Sequence, residues 1–135
     1  MELVVNPKLH KSQVLEFYRT FDQALTEEQA VKIAKSLRKS YVIGAYEEQK
    51  LVGLVSALSD YIAVVYIKTM LIRPDYQEKR IARTLMSHLM DYFAQVPQIN
   101  VVLDDVKQIE LYTSLGFKPL SENKQKLYSF ERYQK

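Results

Sequence analysis

The spacing of apolar residues changes along the chain, and each change marks an element. Glu2–Val5 is a short apolar run closed by Asn6-Pro7, which reads as a strand ending in a turn. From Ser12 to Phe21, Val14, Leu15, Phe17, Tyr18 and Phe21 recur at helical spacing. Thr26-Glu27-Glu28-Gln29 then has the form of a capping box, in which the threonine hydroxyl and the glutamine side chain each satisfy a backbone N–H of the other residue. Ala30, Ile33, Ala34 and Leu37 continue that helix as a one-sided stripe, and Lys35, Arg38 and Lys39 sit where the helix dipole favours positive charge. After Ser40 the pattern becomes β-rich. Tyr41–Tyr46 and Leu51–Leu58 flank a polar turn, Glu47-Glu48-Gln49-Lys50, and Tyr61–Ile72 is a longer third run. Pro74 stops it, because proline cannot donate to a sheet ladder.

The helical period returns at Arg80–Val96, with Ile81, Leu85, Leu89, Tyr92 and Val96 on one side and Pro97 beyond the end. Within this stripe His88 reads as a half-buried packing residue. Ile99–Leu103 is a strand, and Val106–Leu115 is a short helix closed by Gly116 as its C-terminal cap. Phe117–Leu120 and Gln125–Tyr133 supply the last strand material. The order β-α-α-β-β-β-α-β-α-β indicates an α/β (α+β) fold, a mixed sheet covered on both faces. Residues 61–103 should form a crossover that joins two parallel strands, and ligands collect at the C-terminal ends of such strands. There are no repeats or Gly/Ser-rich linkers, so one domain spanning 1–135 is expected.

Composition mainly narrows the chemistry. With no cysteine and only His10 and His88, thiolate nucleophiles and thiolate metal sites are excluded, and little remains for a histidine-based metal site or triad. No metal cofactor is expected. A net charge of +3 is too mild to argue for nucleic acid, and no apolar run approaches the length of a membrane span. A cytoplasmic protein without a signal peptide is the expectation. Gly44, Gly53 and Gly116 are the only glycines, so neither a P-loop nor a Rossmann fingerprint can be written.

One cluster of basic residues stands out. Lys79, Arg80 and Arg83, with Arg73 just upstream, gather where a strand turns into a helix, and positive charge at a helix N-terminus opposes the dipole. A bound polyanion would remove that conflict.

Residues 70–85, MLIRPDYQEKRIARTL, resemble motif A of the GNAT N-acetyltransferase family, an apolar strand and a proline leading into Q/R-x-x-G-x-G/A at a helix start. IELYTSLGF at 109–117 resembles its motif B. The helix pair and hairpin before motif A also fit, so the resemblance covers essentially the whole chain. It implies a central, mostly antiparallel mixed sheet with a splayed parallel pair, helices on both faces, and acetyl-CoA as cosubstrate. The main chain of Met70, Leu71 and Ile72 would pair with the pantetheine arm, where Thr69–Ile72 and Ile99–Leu103 part. Gln77 and Ala82 occupy the first and last motif positions. Lys79, Ile81, Arg83 and Thr84 would offer backbone N–H groups to the pyrophosphate.

Arg80 departs from the motif glycine. Two readings stand: a helical φ with the side chain outward, which tolerates arginine, or a side chain facing and obstructing the phosphates. Tyr112 takes the family position of the general acid that protonates the leaving thiolate. No general base is legible, since Lys68-Thr69 stand where relatives carry a carboxylate, and Asp60, Asp104 and Asp105 read better as caps or turn residues. Tyr41, Tyr46, Tyr61 and Tyr66 are sheet aromatics that would otherwise line an acceptor cleft. The implied activity is acetyl transfer to a primary amine of unknown identity, the alternative being a non-catalytic CoA-binding or interaction module. Members of the family often form homodimers, for which strand material near the C-terminus offers a hydrophobic edge.

Overall fold

The computed structural model describes residues 1–76, 78–103, 106–119 and 131–134. Two compact units comprise Met1–Val102 and Leu103–Lys135.

The first unit holds a five-stranded sheet in chain order: β1 (Glu2–Val5), β2 (Tyr41–Glu47), β3 (Lys50–Ser59), β4 (Val64–Ile72) and β5 (Gln98–Val101). The first three pairings are antiparallel and β4–β5 is parallel. The expected mixed sheet is therefore present, with its parallel pair joined through α3 (Glu78–Tyr92). Helices α1 (Lys11–Arg19) and α2 (Glu27–Arg38) cover one face. There Val14, Phe17, Ala30, Ala34 and Leu37 pack with Val42, Leu51 and Leu54 in one core. On the other face Ile81 and Leu85 of α3 come so close to β3 that a Cβ at Gly53 would lie 3.0 Å from Ile81 Cγ2 and 2.8 Å from Ile72 Cδ1. A side chain there would crowd both β4 and the helix, so glycine suits their close approach.

Local chemistry moved several boundaries from where periodicity placed them. The capping box forms as expected: Gln29 N–H donates to Thr26 Oγ1 at 3.1 Å and Thr26 N–H to Gln29 Oε1 at 2.9 Å. The β2–β3 turn is tighter than four residues, because Glu48 and Gln49 both take positive φ (48° and 68°), the pattern of a two-residue type I′ hairpin. β4 starts at Val64, not Tyr61. Asp60 Oδ1 accepts from the backbone N–H groups of Ile62 (3.0 Å), Ala63 (2.9 Å) and Val64 (3.3 Å), holding 60–63 as a turn with Tyr61 at φ 66°. Asp60 is thus a turn residue, and these donors keep its carboxyl below the usual range.

α3 begins two positions before Arg80 and ends at Tyr92, short of Val96. Its buried stripe includes Ala82 and Met86, Phe93 is buried just beyond its end, and Tyr92 is exposed. His88 is exposed as well, which corrects its reading as a packing residue. Among the described residues no helix is long and apolar enough to cross a membrane.

In the second unit α4 (Val106–Ser114) ends in a Schellman arrangement. Phe117 N–H donates to Tyr112 O at 3.0 Å, Gly116 N–H donates to Thr113 O at 3.1 Å, and Gly116 has φ 94°. The cap expected at Gly116 is the one observed. Phe117, Lys118 and Pro119, and residues 131–134, are not in strands, contrary to expectation; the intervening stretch of the expected last strands lies outside the described residues.

Candidate active site

The central feature is a mismatch between two neighbouring strands. The β4–β5 ladder runs from Val64↔Gln98 to Ile67↔Val101 and stops, whereas β4 continues through Lys68 to Ile72. Val65–Ile67 lie opposite Ile99–Val101, and Thr69–Ile72 lie beyond the end of that ladder. At the same point the β3–β4 register breaks. Ser56 faces Thr69 and Ala57 faces Ile67, so Lys68 is the extra residue of a β-bulge.

Beyond the bulge, backbone polarity alternates in a definite phase. Arg73 N–H donates to Val52 O at 2.8 Å, continuing the register in which Gly53 faces Ile72. Residues of the same parity, Leu71 and Thr69, direct their backbone groups at β3, whereas Met70 and Ile72 direct theirs at the opposite edge. Among the described residues no strand pairs with that edge beyond Ile67. Of the three expected strand residues, Met70 and Ile72 can offer main-chain groups to an extended ligand, and Leu71 cannot.

The turn after β4 is held from below. Arg73, which sequence grouped with the phosphate-facing cations, is turned away and buried. Its Nε donates to Leu51 O at 2.5 Å, its Nη2 donates to Glu16 at 2.6 Å, and its guanidinium carbon lies 5.1 Å from the centroid of the Phe17 ring. Arg73 fixes the turn rather than facing an anion from it. Glu16 was missed because nothing local links two residues so far apart in sequence.

Lys79, Arg80 and Arg83 are exposed on α3, and among the described residues none has an acidic partner. Arg80 lies inside the helix with no positive φ. That is the first of the two backbone readings, a conformation open to any residue. Lys79 and Arg80 fall in the first turn, whose N–H groups have no intrahelical acceptor. Because α3 starts at Glu78, the N–H groups of Arg83 and Thr84 fall inside the helical ladder, so Arg83 can act only through its side chain. Thr84 Oγ1 is occupied by Arg80 O at 2.9 Å. Ile81 and Ala82 are buried, and Ile81 packs on the sheet at Gly53. Gln77 lies outside the described residues.

Two polar groups at the bulge were not anticipated. Lys68 Nζ donates to Ser36 Oγ and Ser40 Oγ, both at 2.7 Å, tying the bulge to the C-terminal end of α2, and burial lowers its pKa. Ser56 Oγ, opposite Thr69, is buried without a hydrogen-bond partner among the described residues. A bulge leaves no clear mark in a hydrophobic pattern, so neither was legible beforehand.

Tyr112 stands on α4 in the second unit, buried, with its ring edge-on to Phe117 at 5.3 Å. Burial pushes its phenol up to about 12. Two of the four tyrosines read as sheet aromatics, Tyr41 and Tyr61, converge on Tyr92 and Phe93. Tyr41 stacks on Tyr92 (4.0 Å, 9°) and Tyr61 meets Tyr92 edge-on, whereas Tyr46 packs against the α1–α2 core. Asp104 and Asp105 lie outside the described residues. Among the described residues no cluster of three metal-ligating side chains occurs.

The acetyltransferase (GNAT) family model matches residues 6–117. A histone acetyltransferase of Glycine max is 30% identical over 95 residues, which cover 70% of this chain and only 41% of that relative's length. A GNAT-family acetyltransferase of Streptococcus pneumoniae superposes with a TM-score of 0.78 at 21% identity, over 98% of this chain and all of the other. An aminoglycoside N-acetyltransferase solved in complex with CoA superposes with a TM-score of 0.70 at 11% identity, covering 98% and 95% of the two chains. The chain belongs to the GNAT family of acetyltransferases and has its fold.

Proposed function

We propose that residues 1–135 act as one acetyltransferase domain that takes an acetyl group from acetyl-CoA and passes it to a primary amine. The observation that carries this reading is the open edge of β4 beyond the bulge, directly before a helix start with three exposed cations. A peptide-like pantetheine arm has the amides to pair with Met70 and Ile72. The diphosphate has the charge to suit the free N–H groups of the first turn of α3 and the side chains of Lys79, Arg80 and Arg83. Bound there, acetyl-CoA supplies an activated thioester. Backbone N–H at Met70 would polarise its carbonyl without needing a particular side chain. Tyr112 is the proposed acid. Its phenol holds a proton at neutral pH, and the burial that pushes it up to about 12 makes it a weaker acid than a free tyrosine.

The competing reading is a module that keeps the groove without turnover, motivated by arginine at the motif glycine position and by the lack of a legible general base. Thermal unfolding with acetyl-CoA tests the groove, and turnover separates the two readings. At a concentration about 100 times Kd the cofactor should stabilise by roughly 2.7 kcal/mol, or a Tm rise of several degrees. Acetylation of an amine panel should follow, and Tyr112→Phe should lose turnover with Tm retained. No rise in the parent, with a rise in Arg80→Gly, would mean that arginine closes the groove and would overturn the enzymatic reading.

A further inference from the structure

On the α1–α2 face, away from the open edge of β4, lies a cavity of about 430 Å³ between the β1–α1 connection and the last turn of α2. Leu9, Leu37 and Val42, all buried, are among its apolar lining residues, while Lys8 and Arg38 are exposed lining residues. Among the described residues no acidic residue lines it and neither cation has an acidic partner. Its volume is in the range of small-molecule sites. Its wall is pinned: Asn6 N–H donates to Val42 O at 2.7 Å and Val42 N–H donates to Asn6 Oδ1 at 2.8 Å. Val42 faces Ser56, which faces Thr69, so about two strand spacings, roughly 10 Å, lie between this wall and β4.

A basic residue near a helix C-terminus ordinarily needs no ligand, since the dipole favours it there. That accounts for the charge of Arg38 in the last turn of α2, but not for its lining the same cavity as Lys8. Lys8 is not on a helix, so the dipole does not account for it. We propose that the cavity binds a small organic carboxylate with an apolar body, its head held by Lys8 and Arg38 and its body lying on Leu9, Leu37 and Val42.

The test is titration of the 15N-labelled protein with phenylacetate, and in parallel with phenylacetamide and inorganic phosphate. Phenylacetate should produce saturable shifts at the amides of Leu9, Leu37 and Val42. Loss of one charge-assisted contact in Arg38→Gln should weaken binding about tenfold. Lys8→Gln, outside any helix, should shift binding the same way and gives a second reading if Arg38→Gln perturbs α2. Equal binding of phenylacetamide would make the cavity a plain apolar groove, and equal binding of phosphate a surface anion patch. Either result, or the absence of saturation, would overturn the proposal.

Discussion

Arg73 Nη2 and a Glu16 carboxylate oxygen lie 2.6 Å apart, joining residues 57 positions apart in the chain. The arginine side chain is 8% exposed and the glutamate 59%. The pair therefore has a buried cation and a partly solvated anion, and its two halves should respond differently to mutation. Glu16→Gln keeps a hydrogen-bond acceptor and the Leu51 O contact, and should cost about 1 kcal/mol. Arg73→Ala removes the packing on Phe17 and leaves Leu51 O unsatisfied, at a cost on the order of 3 kcal/mol. Urea unfolding of both variants measures the asymmetry; equal losses would show that burial of the arginine is not what matters.

Gly53 sets the approach of α3 to the sheet. A methyl group there must displace Ile72 Cδ1 and Ile81 Cγ2, and Ile81 sits in the turn that leads the cationic face. Gly53→Ala should cost about 1–3 kcal/mol by overpacking. It should also move the amide resonances of Lys79 and Arg80, which a purely local loss would leave in place.

Thr26→Ala removes one arm of the capping box and should cost about 1 kcal/mol in global stability, read by denaturant unfolding. Gly116→Ala forces a side chain to φ 94° with no atom within 4 Å of its Cβ, so its cost, on the order of 1 kcal/mol, is backbone strain alone.

Tyr18 and Tyr112 hold their phenolic protons to about 12, through burial, against 10.0 for an ordinary tyrosine. Between those values the native state binds more protons than the unfolded chain. The stability these groups provide is complete below about pH 10 and is lost as pH rises through about 12. Absorbance titration should show a late-ionising fraction that shrinks in Tyr112→Phe. A single transition near pH 10 for all tyrosines would contradict it.

Arg80 and Arg83 are exposed and lack acidic partners among the described residues, so the double change to Gln should alter stability by less than about 1 kcal/mol. If they face the cofactor phosphates, the same variant should bind acetyl-CoA more weakly, with a shallower dependence on salt. Unchanged affinity would remove both side chains from the site.

Sequence alone determined what depends on neighbours a few residues apart. The α2 cap at Thr26, the Gly116 turn, the stripes of α1 and α2 and the chain order of the first five strands all rest on local hydrogen bonds or on one element's apolar period, and these are written in consecutive residues. The two family motifs likewise fixed the family. Tertiary structure decided what depends on pairing across the chain. Where the β4–β5 ladder ends, that Lys68 is a bulge, which main-chain groups of β4 face outward, and that Arg73 turns inward to Glu16 all follow from register and from contacts between distant segments. Where a ladder ends and where a bulge falls depend on which residues of a distant strand lie opposite, and the alternation within one strand does not name them.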